Sequence, residues 1–297
     1  MYTLNLKSYI SILFLLTLCI SDVYGLYGTG ETYTIPFSEA GGLMLIDAQI
    51  AGQKGKFIFD TGSTDILVHQ AETHSAKANE TTAVFETVSG PIMGSEVVLP
   101  HLLVADYEVE NLAAFSCDLS FLENQVGFKL LGILGVSLFE GKIIHIDNIN
   151  KVIELKEDRQ LINSGLYHQV AFTHTQDLFL LPLKIGEKTY QFALDTGASA
   201  SIFDKSVLTE QVDYFQPLHR ETNFHSASDE ILSKAVYELE KVVLANIAIK
   251  NLQMAVSDLS AIMSDMPDNF GGILSVHQLA ATELIIDFQT NSVFFKF

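Results

Sequence analysis

Beyond the first two dozen residues, the apolar positions fall into short runs rich in Val, Ile, Leu and Phe, such as Leu43-Met44-Leu45-Ile46, Phe57-Ile58-Phe59 and Phe192-Ala193-Leu194. Turn-forming breaks separate them, among them Ala51-Gly52-Gln53, Ser89-Gly90-Pro91 and Gly186-Glu187-Lys188. Short apolar runs bounded by Gly, Pro and Ser predict strands and hairpins. Only Asp118 to Leu122, Ser137 to Phe139 and Ser206 to Gln211 have the pattern of a short helix. The expected class is mainly β.

The pattern is written twice. Leu43-Met44-Leu45-Ile46 through Phe57-Ile58-Phe59-Asp60-Thr61-Gly62-Ser63 matches Leu178-Phe179-Leu180-Leu181 through Phe192-Ala193-Leu194-Asp195-Thr196-Gly197-Ala198, at an offset of 135. An offset of 140 then carries Asn111-Leu112 to Asp118-Leu119-Ser120 onto Asn251-Leu252 to Asp258-Leu259-Ser260. It also carries Gly132-Ile133-Leu134-Gly135 onto Gly272-Ile273-Leu274-Ser275, and Ile146-Asp147 onto Ile286-Asp287. Four blocks in one order with one small length change describe a duplicated unit. A polar stretch from Lys156 to Gln160, followed by Asn163-Ser164-Gly165, reads as the linker.

The amino end changes the picture. A single Lys7, the apolar run Ile10 to Ile20 and small residues at Val23-Tyr24-Gly25 have the form of a secretory signal, too short to span a bilayer. Residues 1–25 are expected to be a signal peptide, and the rest an exported chain without stable membrane insertion after its removal. Cys117 would then be its one cysteine, expected as a small apolar filler at a strand end. With Lys+Arg at 17, Asp+Glu at 36 and a formal charge of −19, the surface repels phosphate backbones, and nucleic acid is excluded as a partner.

The chemistry sits in the repeated tripeptide. In each copy an apolar strand runs straight into Asp-Thr-Gly, placing a carboxylate where burial is costly unless backbone N–H groups satisfy it. Gly62 and Gly197 permit the tight turn that supplies them. One Asp-x-Gly at a strand end is an ordinary turn, but two copies related by duplication bring both aspartates to a pseudo-two-fold axis. Two adjacent carboxylates do not both ionise readily and share a proton. The ionised member can deprotonate a water, and the protonated one can polarise the carbonyl that the water attacks.

Hydrophobic-Asp-Thr-Gly-Ser/Ala followed by Ile-Leu-Gly resembles the aspartic peptidases, in both their retroviral and pepsin-like branches. The resemblance covers nearly all of the chain after the signal. It implies a bilobal acid-protease fold of two similar β-barrel-like lobes related by pseudo-two-fold symmetry, with an N-terminal lobe at 26–157, a linker at 158–165 and a C-terminal lobe at 166–297. It also implies that Asp60 and Asp195 form a catalytic dyad, braced by Thr61, Gly62, Ser63, Thr196 and Gly197. Ile133-Leu134-Gly135 and Ile273-Leu274 would pack beneath the loops. A substrate-covering flap maps by position onto Val88 to Gly94, with Ser89, Gly90, Pro91 and Ile92 as the contact residues. The equivalent stretch Ala227-Ser228-Asp229-Glu230 is acidic and lacks those glycines, so a single flap is expected.

Two departures from the family pattern carry expectations of their own. Ser275 replaces a glycine beneath the second loop, which affects the packing there. Ser63 follows the first motif and Ala198 the second, so a hydroxyl is expected on Asp60 alone, making Asp60 the more readily ionised member. Thr32 to Phe37 is expected as an edge strand pairing between the lobes.

The pairs His69/His74, His168/His174 and His219/His225 are five or six apart, unlike metal-binding spacings, and no metal or other cofactor is expected. Asp118/Asp258 and Asp147/Asp287 are assigned to caps and turns. The sequence thus predicts an exported, monomeric aspartic endopeptidase. It would hydrolyse peptide bonds of a peptide or protein substrate held extended between the lobes. The alternative is a non-catalytic peptide- or protein-binding module on the same scaffold.

Overall fold

The computed structural model describes residues 32–72, 77–85, 87, 90–157, 164–175, 178–225, 231–264 and 266–297. The segment expected as a signal peptide, most of the expected linker at 158–165, Val88, Ser89 and the stretch Ala227 to Glu230 lie outside them. Among the described residues no helix is long and apolar enough to cross a membrane.

The chain is mainly β, in two barrel-like halves. In the first, Leu43–Ile50, Gln53–Asp60, Leu130–Gly135, Leu67–His69, Tyr107–Cys117 and Ile92–Val104 pair in that order, and Ala48 to Ile50 pairing with Leu102 to Val104 closes the barrel. The second half repeats the centre of this arrangement with Leu178–Ile185, Lys188–Asp195, Phe270–Ser275, Ser201–Asp204, Leu252–Ser257 and Ile231–Leu239, but curls without closing. The expected short helices form at Ser120–Val126, Val136–Phe139 (a single 3-10 turn) and Lys205–Glu210. Cys117 ends its strand as a free, buried thiol.

Strand alternation builds two apolar layers in each half. Phe57 and Phe59 point into a large core that continues from one half to the other, whereas Ile58 between them packs with Leu43, Leu45, Ile133 and Phe121 on the opposite face. Phe192 and Leu194 join the same large core, and Ala193 joins Leu180, Ile202 and Phe270. Both faces of each aspartate-bearing strand are therefore covered, and the strand end is held rigidly.

A six-stranded antiparallel sheet joins the halves, in the order His168–Ala171, Ser292–Lys296, Glu283–Asp287, Ile143–Asp147, Val152–Lys156 and Thr32–Ala40. At its centre His145 lies opposite Ile285, and these residues are 140 positions apart, the offset of the sequence repeat itself. The pseudo-two-fold axis thus passes between them. Thr32 to Phe37 does form an edge strand, but its partner is Val152–Lys156 of its own half. The inter-half pairing falls instead to Ile143–Asp147 with Glu283–Asp287, the strands nearest the axis.

The His145 ring reaches Glu154 Oε2 through Nδ1 and Glu283 Oε2 through Nε2, each at 2.9 Å, so it bridges the halves. Burial pushes the Glu283 carboxyl up, but hydrogen bonds from Lys296, Tyr167 and His145 outweigh it and hold the group down at about 2. A carboxyl held below its ordinary value of 4.5 contributes stability above that value and loses it as pH falls toward about 2. Unfolding free energy is expected to decline across this window, and Glu283→Gln to flatten the decline in urea titrations at successive pH values.

Candidate functional site

Each aspartate stands where three strands cross. Gln53–Asp60 runs parallel to Leu130–Gly135, with Asp60 beside Gly135, while Leu67–His69 crosses the same strand antiparallel at Ile133 and Gly132. The second half repeats the arrangement, with Asp195 beside Ser275 and Ser201–Asp204 crossing at Ile273 and Gly272. The crossing leaves no room for a side chain at its centre: a Cβ on Gly132 would lie 2.0 Å from the Leu67 carbonyl oxygen, and one on Gly272 2.1 Å from that of Ile202.

The loops lock together through their threonines. The Thr61 amide donates to Thr196 Oγ1 at 2.9 Å, and the Thr196 amide to Thr61 Oγ1 at 3.0 Å. Each hydroxyl in turn donates across the axis, Thr61 to the Leu194 carbonyl at 2.9 Å and Thr196 to that of Phe59 at 2.8 Å. All these groups are buried, so each bond lost leaves a stranded partner. Thr61→Val removes one donor and one acceptor at once. It is expected to cost about 3 kcal/mol of unfolding free energy by chemical denaturation, from two buried polar groups left unpaired.

The two carboxyls meet over this grip and hydrogen-bond to one another. Asp60 Oδ1 accepts the Gly62 amide at 2.7 Å, and Asp195 Oδ1 the Gly197 amide at 2.6 Å. The glycines also make the contact possible: a Cβ on Gly62 would sit 2.5 Å from Asp195 Cγ, and one on Gly197 2.3 Å from Asp60 Cγ. Burial raises both carboxyls above their ordinary value, and Asp195 is raised further by the charge of Asp60 beside it. The pair is thus built to hold one proton where isolated aspartates hold none.

The Ser63 hydroxyl does not reach Asp60 as expected; it donates to the Asp65 carbonyl at 3.0 Å, within its own turn. The asymmetry between the carboxyls comes first from the pair itself, whose hydrogen bond holds Asp60 down while the charge of Asp60 pushes Asp195 up, and backbone amides add to it. Asp60 draws on the amides of Gly62, Ser63 and Gly197, and Asp195 on those of Gly197 and Ala198. Ser275 fits without loosening the second loop: its hydroxyl donates to the Ala198 carbonyl at 2.7 Å, and its amide to Ser201 Oγ at 2.9 Å. At the first-half equivalent, a Cβ on Gly135 would lie 2.3 Å from the Asp65 carbonyl oxygen. The repeated aspartates Asp118, Asp258, Asp147 and Asp287 all accept backbone amides two residues on, as turn residues do.

A cleft of about 520 Å³ opens over the pair, with walls from both halves. Ile58, Phe121, Leu122 and Ile133 line one side, and Ala193, Ile262, Met266 and Ile273 the other. Among the described lining residues the charged side chains are Asp60, Asp65 and Asp195, with no Lys, Arg or His beside the pair. No group of three or more His, Cys, Asp and Glu side chains among the described residues is placed to hold a metal.

The proposed flap corresponds to the end of a hairpin between Lys77–Phe85 and Ile92–Val104. Ile92 lines the cleft together with Val84, Phe85 and Thr87, whereas Gly90 and Pro91 do not. The Gly90 amide donates to the Thr87 carbonyl at 3.1 Å, and Gly90 takes a φ of +111° that favours glycine. Sequence reasoning missed Phe121, Leu122, Ile262 and Met266 as wall residues. The signal was present: they follow the repeated Asp-Leu-Ser blocks at 118–120 and 258–260.

A family model described as aspartyl protease matches the chain over residues 46–138 and 181–277, one segment in each half and together more than half of its length. No curated protein matches it.

Proposed function

Since the chain belongs to the aspartyl protease family, a family of peptidases, we propose that it is an endopeptidase whose Asp60 and Asp195 activate a water against the substrate carbonyl. One observation carries this reading: two carboxyls in mutual hydrogen bonding, both raised by burial, at the floor of an apolar cleft. In the singly protonated pair the ionised oxygen takes a proton from a bound water. The protonated carboxyl donates to the carbonyl oxygen as the tetrahedral intermediate forms, and a proton returned to the amine lets the C–N bond break.

An extended peptide fits such a cleft, with its backbone beside Phe85, Thr87 and Ile92 and its side chains in the apolar walls. Both aspartates belong to one chain, which supports action as a monomer. The apolar run at 10–20 ahead of Gly25 supports export.

Exposure of a degenerate peptide library to the chain, from about pH 3 to about pH 8, tests the reading. Mass spectrometry is expected to reveal new termini with the wild type and none with a folded Asp60→Asn variant. Peptides that bind without being cleaved at any pH would replace it with the binding-module alternative.

A further inference from the structure

We infer that His69 is a positioning residue that fixes one wall of the cleft and makes that wall, unlike the opposite one, sensitive to pH. The inference rests on the reading of the cleft as the substrate site.

His69 ends the strand Leu67–His69 and is 6% exposed. Its Nδ1 accepts the backbone amide of Leu119 at 3.1 Å. Leu119 is fully buried and immediately precedes the helix Ser120–Val126, whose Phe121 and Leu122 face the cleft. Leu119 itself offers no side-chain cap. The imidazole therefore ties down the root of the element that forms the wall.

The second half makes the same tie with different chemistry. Asp204 stands 135 positions after His69, and its Oδ2 accepts the amide of Leu259 at 2.9 Å. Leu259 lies 140 positions after Leu119 and precedes Ile262 and Met266 of the opposite wall. A carboxylate accepts this bond in its charged form. Although burial pushes Asp204 up, hydrogen bonds from Ser206 and Leu259 outweigh it and hold the group below its ordinary range. An imidazole accepts at Nδ1 only while neutral with its proton on Nε2, and histidine is the side chain that changes charge between about pH 5 and 8.

Among the described residues, Glu123, Asp118 and Cys117 face the ring. Glu123 Oε2 lies 4.0 Å from Nε2, and the other oxygen of that carboxyl accepts the Leu130 amide at 2.8 Å. Asp118 is held below its ordinary range by the Ser120 hydroxyl and amide, with a smaller contribution from His69. Cys117, paired beside His69 in the neighbouring strand, has its thiol pushed up to about 11 by burial and remains neutral. Protonation turns Nδ1 into a donor aimed at another donor, so the helix root separates from His69 and Phe121 and Leu122 lose their fixed position.

For a peptide that fills the first-half wall, KM is expected to rise about fivefold as pH falls from about 7 to about 5, the effect of one lost hydrogen bond, with kcat following the aspartate pair alone. His69→Asn, whose amide oxygen accepts at every pH, should flatten the rise. His69→Leu should give the acid KM already at neutral pH.

Backbone hydrogen exchange of the full chain reads the same tie without catalysis. Corrected for intrinsic rates, exchange at 119–126 should quicken on acidification, while 259–266 in the same molecule stays level. The inference is overturned if both segments behave alike in the wild type, or if a folded His69→Asn keeps the wild-type KM profile. A pH-dependent segment in a chain that cleaves nothing would sustain the role of His69 and remove the peptidase reading.

Discussion

Asp195→Asn is expected to lower kcat/KM at least about a thousandfold and, at neutral pH, to make the protein more stable. The loss follows from the chemistry: an amide cannot hold the shared proton or return it, so the pair loses its general acid and the water its matched base. The gain follows from linkage. Burial and the neighbouring charge of Asp60 raise Asp195 above its ordinary 3.8. The folded state then binds more protons than the unfolded chain across the interval between the two values, and stability falls as pH rises through it. A neutral amide removes that penalty. The variant should therefore unfold at higher temperature than the wild type at pH 7 and at the same temperature near pH 3, below both values. Scanning calorimetry at the two pH values checks the sign, which is opposite to that expected for Glu283→Gln.

Gly132→Ala is expected to cost about 3 kcal/mol or more, enough to threaten folding, although it adds one methyl group. The new Cβ would lie 2.0 Å from the Leu67 carbonyl oxygen and 2.8 Å from the Phe57 ring. Neither neighbour can yield, because Leu67 crosses the strand at this point and Phe57 is fully buried. Gly127→Ala provides the control. Nothing lies within 4 Å of its added Cβ, and only a φ of +78° opposes the change, a cost of about 1 kcal/mol. Urea denaturation of the two variants should separate by about 2 kcal/mol or more, and equal losses would mean that the crossing is looser than described.

Much of this was legible in the sequence because duplication supplies its own check. A lone Asp-Thr-Gly is weak evidence, but at a fixed offset it predicts an axis, and the pairing of His145 with Ile285 lies on that axis. The buried strands, the short helices and the meeting of the loops follow from the same repeat. Partner choice was less legible. Thr32 to Phe37 has the composition of an edge strand, and nothing local distinguishes Val152–Lys156 from a strand of the other half. Ser63 could be placed next to Asp60 along the chain, but the direction of its hydroxyl depends on the turn to Asp65. His69 appears in the sequence only as a histidine whose spacing from His74 is unlike that of a metal site. Its role becomes visible only when Leu67–His69 is laid beside Tyr107–Cys117, bringing the ring to the Leu119 amide fifty residues away.

The central claim is that paired carboxyls direct a water, and not a protein nucleophile, at the peptide carbonyl. A single-turnover reaction in oxygen-18 water, with the chain in excess over a peptide chosen from the library, tests it most directly. The expected result is one labelled oxygen in the new terminal carboxyl, an intact chain whose mass is unchanged at every time point, and no cleavage by folded Asp60→Asn. A transient increase in the mass of the chain by the acyl half of the peptide, or cleavage that persists in the variant, would contradict it.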